Sequence, residues 1–237
     1  MSRDVVKEVF IDAPVEAVWR ALSDADELVR WFPVEAKVTP GVGGSIWISW
    51  GDGASGEAPI TAWEPERRLQ WTETRGPVKI AVDFHLESRD GGTVVRLVQS
   101  GFGDGPEWDG EYHMVDAGWT YFTFHLKWYL ERHHGVPRDV IGFRTPTALP
   151  AADVFARLQG VLDTFGAACV FERAATSQAA YTVAALNDAV VFIEIEPGSP
   201  QVRAGFWFST YGLPPARLAQ LRTDVTAAYT RAITTEE

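Results

Sequence analysis

The stretch that most constrains this chain is Val9-Phe10-Ile11-Asp12-Ala13-Pro14-Val15-Glu16-Ala17-Val18-Trp19-Arg20-Ala21-Leu22. It reads as a strand that stops at a proline and passes at once into a short amphipathic helix. Pro14 suits a first helical turn, because the N–H it lacks would have no partner there. Val18, Trp19 and Leu22 then share one helical face. Much later, Gly118-Trp119 with Leu126 and Leu130 marks a long aromatic helix. A short helix after the first strand, a long helix at the end and strands between describe a sheet gripping a helix around a cavity.

Composition narrows the partners. The 237 residues carry a net charge of −11, which argues against nucleic acid or an anionic membrane surface. No apolar run reaches the length of a membrane span, and Met1-Ser2-Arg3-Asp4 leads into a strand rather than a leader peptide. The single cysteine, Cys169, has no internal disulfide partner and fits a reducing, bacterial-type cytoplasm; it reads as a small buried apolar residue in a strand.

Aromatics and charge divide the chain. Nine of the ten tryptophans lie at or before Trp128. Through Gly135 there are 22 acidic and 13 basic residues, against 10 and 8 in the remainder. Gly135 and Pro137 end the long helix, so the boundary falls there, giving domains 1–135 and 138–237.

In the first domain, residues 3–12 read as a strand, 14–23 as a helix and 24–32 as a second short helix ended by Pro33. Strands follow near 34–39, 45–50, 56–64, 67–75, 78–88 and 93–99. Gly51-Asp52-Gly53 and Arg89-Asp90-Gly91-Gly92 act as turns. The long helix runs from about 106 to 132. Alternation puts Ile80, Val82, Phe84 and Leu86 on one face of their strand, and likewise Val95, Leu97 and Gln99, and Leu69, Trp71 and Glu73. On the long helix Trp108, Tyr112, Val115, Trp119, Phe122, Leu126 and Leu130 recur at three- and four-residue spacing. A packed core and an open cavity both satisfy this pattern.

Several of these segments carry a resemblance. Ala13-Pro14-Val15-Glu16-Ala17-Val18-Trp19, Leu28-Val29-Arg30-Trp31-Phe32, Gly43-Gly44, Arg68-Leu69, Gly92-Thr93-Val94-Val95-Arg96-Leu97, Ser100-Gly101-Phe102 and Gly118-Trp119 cover the first domain in order. Together they resemble the SRPBCC (START-like, helix-grip) superfamily, in its branch similar to the activator of the Hsp-90 ATPase. The resemblance implies an α+β helix-grip fold, a curved seven-stranded antiparallel sheet wrapped around a long C-terminal helix. It further implies a hydrophobic cavity for a lipid, polyketide or aromatic metabolite, and it carries no shared catalytic motif. The residues expected to line that cavity are Trp31, Phe32, Ile48, Trp50, Trp71, Val82 and Phe84. Leu97, Gln99, Tyr112, Val115, Trp119 and Phe122 complete it.

The second half repeats the opening signature. Pro150, Val154, Phe155 and Leu158 lie over Pro14, Val18, Trp19 and Leu22 without a gap. A strand at Val140-Ile141-Gly142-Phe143 precedes them. Strands near 167–172, 179–186, 189–195 and 201–210 follow, and a final helix, 216–233, carries Leu218, Leu221, Val225 and Tyr229 on one face. This reads as a shortened, degenerate helix-grip unit lacking the second short helix and two strands; the alternative is an unrelated α+β lid. A fused copy of this kind suggests an intramolecular pseudo-dimer, or a homodimer, covering the face that carries Trp47.

Catalytic constellations are thin. His85, His113, His125, His133 and His134 show no metal-ligand spacing, so no metal or cofactor is expected. His113 and Asp116 lie one helical turn apart. Glu73 is an inward carboxylate, with Arg75 as its candidate partner, and with His113 it is the best candidate for acid–base work. Gly41-Val42-Gly43-Gly44 lacks the lysine and helix of a phosphate loop, and Gly103-Asp104-Gly105-Pro106-Glu107 has too few ligands for calcium. The expected function is therefore non-catalytic binding of an apolar small molecule, by a carrier, sensor or sequestering protein. A cyclase- or hydrolase-type enzyme and a co-chaperone-like interaction module are the alternatives.

Overall fold

The structure is a computed structural model. It describes residues 3–51, 54–75, 78–173, 177–198 and 200–234, without the Arg75 side chain. The chain forms two compact units, 1–135 and 136–237. Among the described residues no helix is long and apolar enough to cross a membrane.

In the first unit, β1 (Arg3–Ile11) leads through Pro14 into α1 (Val15–Ser23) and α2 (Ala25–Leu28). Strands β2 (Glu35–Thr39), β3 (Ser45–Ser49), β4 (Ser55–Glu64), β5 (Arg68–Arg75), β6 (Val78–Arg89) and β7 (Gly92–Phe102) then form a meander, and α3 (Asp109–Arg132) closes the unit. All pairings are antiparallel, in the order β1-β7-β6-β5-β4-β3-β2. The first strand thus returns to pair with the last. Of the Gly51-Asp52-Gly53 turn, Asp52 and Gly53 lie outside the described residues. Asp90 and Gly91 both take positive φ, the conformation that a two-residue hairpin needs and that an Asp-Gly pair supplies. Beside them, a Cβ on Gly92 would stand 2.5 Å from the Ile11 carbonyl oxygen, so only glycine lets β1 and β7 pair at this end.

The second short helix is one turn long, not the full 24–32 expected. Asp24 caps it by accepting from the Asp26 and Glu27 N–H groups. Pro33 disfavours helical backbone at Phe32, so the chain leaves the helix early and Trp31 and Phe32 fall in the turn that follows.

Helix α3 runs alongside β1, and the tethers follow one another in register. Arg3 pairs with Asp109 at 2.6 Å and Lys7 with Asp116 at 2.7 Å. Lys127 donates to the Phe10 carbonyl at 2.8 Å, and the Asp12 N–H donates to Glu131 at 2.8 Å. These side chains occupy the flank of an edge strand whose backbone would otherwise be open to pairing with another chain.

Among its described residues the second unit has two strands fewer and no second short helix between its first helix and the sheet. Its elements are β8 (Arg138–Thr147), α4 (Ala151–Asp163), β9 (Ala168–Arg173), β10 (Gln178–Val183), β11 (Ala189–Glu196), β12 (Val202–Tyr211) and α5 (Pro215–Ile233). The sheet order is β8-β12-β11-β10-β9. Strand β8 is longer than its four apolar residues suggested. The strand expected to reach residue 186 stops at Val183, because Ala184–Leu186 curls into a 3-10 turn ahead of the left-handed Asn187 and Asp188. Val154, Leu158 and Leu162 of α4 and Leu221, Val225 and Tyr229 of α5 close on Val191, Ile193, Phe206 and Phe208. Tyr229 stacks on Phe143 at 4.4 Å and donates its hydroxyl hydrogen to the Ala204 carbonyl.

Cys169 corrects an expectation. It lies in a strand but is exposed, because β9 is the edge of its sheet and is flanked on one side only. Partial desolvation, then the charge of Glu172, holds its thiol above the ordinary range, which leaves little of the nucleophilic thiolate at neutral pH.

Candidate functional site

The inward face of the first unit's sheet looks onto α3, and the aromatic side chains meet there. Phe32 is the hub. It stacks on Trp31 at 5.1 Å and on Trp119 at 5.4 Å, and meets Trp50 and Phe122 edge-on at 5.1 and 4.7 Å. Phe84 packs against both Trp71, at 5.5 Å, and Trp119, at 5.8 Å. The wall therefore runs without a break from the turn after α2, across β5 and β6, to α3. Edge-on and offset contacts of this kind are the preferred geometries for aromatic rings.

The residues singled out from the sequence divide into two groups. Trp31, Phe32, Val82, Phe84, Leu97 and Trp119 are buried. Trp31 serves as an anchor, with its indole N–H donating to the Ala21 carbonyl at 2.8 Å. Ile48, Trp50, Trp71, Gln99, Val115 and Phe122 are only half-buried, although alternation or ring contact turns the first four toward α3, helical spacing puts Val115 on the Trp119 face, and Phe122 reaches Phe32 from α3. Tyr112 stands apart from this cluster. It packs edge-on to Phe102 at the other end of α3, under the Arg3 guanidinium, and donates to the Asp4 carbonyl.

Polar groups on this wall are few. The Trp119 indole N–H donates to Gln99 Oε1. Lys7 faces inward between Val5 and Val9, and its ammonium is matched by Asp116. Alternation along β1 could have revealed this pair, since a lysine on an apolar face needs a carboxylate close by. Glu73 is half-buried at the far end of β5, and the Arg75 side chain offered as its partner lies outside the described residues. His113 is exposed and edge-on to Tyr112, while Asp116 is engaged by Lys7. The Gly103–Glu107 loop is held by Arg3, whose guanidinium donates to the Gly103 and Gly105 carbonyls. Trp47, on the opposite face of β3, lies under the Lys37 ammonium of the neighbouring strand, 4.9 Å from the ring centre.

A second polar cluster escaped the sequence reading. Glu27, almost wholly enclosed, accepts the Tyr129 hydroxyl hydrogen at 2.6 Å and faces the Arg30 guanidinium at 3.2 Å and that of Arg20 at 3.4 Å. Burial, then the Glu27 hydrogen bond, pushes the Tyr129 hydroxyl above its usual range. The Gly135 N–H completes the group by donating to the same hydroxyl. This network fixes α2, and therefore Phe32, against the end of α3. The only hint in the sequence is the local Glu27 and Arg30 spacing, because Tyr129 lies far along the chain.

The chain is similar to protein MLL2253 from Mesorhizobium loti, with 31% identity and a TM-score of 0.50 over 55% of this chain and 98% of that one. It is also similar to DynU16, described as a protein in the dynemicin biosynthetic locus, with 20% identity and a TM-score of 0.49 over 97% of this chain and 96% of that one. The Aha1 dimer from Colwellia psychrerythraea gives 23% identity and a TM-score of 0.49 over 56% of this chain and 99% of that one. No curated protein matches. The model of the Activator of Hsp90 ATPase homolog 1-like proteins matches residues 12–131, just over half of the chain. The chain belongs to that family.

Proposed function

We propose that the first unit holds one apolar, largely aromatic small molecule between its sheet and α3, as a non-catalytic carrier, sensor or sequestering protein. The observation that carries this reading is the surface left accessible on inward-facing Ile48, Trp50, Trp71, Gln99, Val115 and Phe122. Ligand sites are mostly apolar and marked by a few placed polar groups, and the composition of this wall supports such a role. Its family supports a ligand-binding role in general terms. The second unit we read as a shortened copy of the first, supported by a sheet order in which the first strand again pairs with the last.

Filling the space tests the proposal. The uncharged fluorophore N-phenyl-1-naphthylamine is expected to bind the native chain and quench its tryptophans, nine of which lie in the first unit. Val115→Trp is expected to weaken that binding at least about ten-fold, equivalent to about 1.4 kcal/mol, with the thermal midpoint changed by only a few degrees. Equal binding by both proteins would refute the site.

A further inference from the structure

On the aromatic wall, the hydrogen-bonding sense of Gln99 is fixed by its neighbour. An indole N–H only donates, so the Gln99 atom facing Trp119 Nε1 must be the carbonyl oxygen. That contact settles the amide orientation and turns the NH2 group away from Trp119. Among the described residues, nothing accepts a hydrogen bond from Gln99 Nε2. Across the sheet its partners are apolar: Gln99 is paired with Val5 and Val82, and Val82 in turn with Trp71. Two N–H donors therefore stand on a half-buried, mostly apolar wall.

Resting on the reading of this face as a ligand site, we propose that Gln99 selects its occupant: a flat aromatic molecule bearing a carbonyl or quinone oxygen, which accepts from Gln99 Nε2. An apolar ring system alone leaves these donors unmatched and excludes the water that would otherwise serve them, and that loss is what separates the two classes of ligand. Trp119 is the positioning residue, because its N–H holds the amide in the donating sense. The Lys7–Asp116 pair does not compete for the role, as each charge already answers the other.

The test uses two planar probes that differ by one oxygen, 9-fluorenone and fluorene, each titrated against tryptophan fluorescence of the full chain. The preference of the native protein for fluorenone over fluorene is expected to exceed that of Gln99→Leu by about five-fold. Gln99→Glu offers an oxygen to Trp119 but has no N–H, so it is expected to lose the preference as well, which separates donation from packing. If both probes bind and all three proteins share one ratio, this inference is overturned and the ligand site stands. If neither probe binds the native protein, the ligand site falls and the inference with it.

Discussion

Glu27→Ala is expected to destabilise the first unit by about 3–5 kcal/mol, the usual cost of removing one partner from a buried ion network. The magnitude follows from what remains. The Tyr129 hydroxyl, enclosed at the end of α3, loses the carboxylate that accepts its hydrogen, and the Arg30 guanidinium loses its counter-charge in a half-buried position. Glu27→Gln retains an acceptor for Tyr129 and is expected to cost less. Arg20→Ala removes the outermost member, whose side chain is 66% exposed, and is expected to cost less than about 1 kcal/mol. Urea denaturation followed by tryptophan fluorescence reads this unit selectively, since only Trp207 lies outside it. A Glu27→Ala loss no larger than that of Arg20→Ala would show that the network does not hold α2 in place. Because α2 leads directly to Phe32, the same substitution is expected to loosen the aromatic wall and weaken ligand binding.

A pH-dependent loss of stability is expected in the second unit, centred on Glu194. This glutamate lies on the face of β11 away from α4 and α5, where burial and then the charge of Glu196 raise its carboxyl from 4.5 to about 7. Trp207 donates to it at 3.2 Å and Gln178 also hydrogen-bonds it, but both are neutral. Arg144 does little to relieve it, because its guanidinium is spent in two bonds to Glu196 at 2.7 and 2.6 Å. The residue as a whole keeps some accessible surface while its carboxylate is enclosed, so the full shift sets an upper limit. Room for the side chain comes from Gly205 directly across the sheet, where a Cβ would stand 2.7 Å from Glu194 Cγ.

The sign follows from linkage. The folded state binds the Glu194 proton more tightly than the unfolded chain does, so this contribution is fully present below about pH 4.5 and declines as pH rises through 7. The decline amounts to at most about 3 kcal/mol between pH 4.5 and 8. Glu194→Gln keeps the shape and removes the titration. Its thermal midpoint is expected to exceed that of the native protein at pH 8 and to converge on it near pH 5. A constant difference between the two proteins across this range would rule the linkage out.

Much of the fold was legible because it rests on local rules. Pro14 marks the entry to α1, Asp90-Gly91 sets a hairpin, and strict alternation from Ile80 to Leu86 gives the inward face of β6. The Pro150 register placed α4. The parts that were not legible depend on distant partners. Glu27 finds Tyr129 across nearly the whole first unit, and periodicity carries no record of that meeting. Cys169 looked like a core residue because its neighbours Ala168 and Val170 are apolar, but exposure there is decided by β9 being an edge, a property of the sheet rather than of the segment. Within the site, inward direction was readable for Trp71, Gln99 and Phe122. Whether each stays partly open or, like Trp31, seals a contact is set by how α2 and α3 pack.

The most direct test of the central claim is native mass spectrometry of the full chain purified from its own source, with extraction and identification of any retained compound. The account predicts one apolar aromatic molecule per chain, carrying an oxygen acceptor, and released by Val115→Trp. A chain that is empty as isolated, and that leaves its tryptophan emission unchanged with fluorenone, fluorene and N-phenyl-1-naphthylamine, would contradict it and make the aromatic wall a packed core.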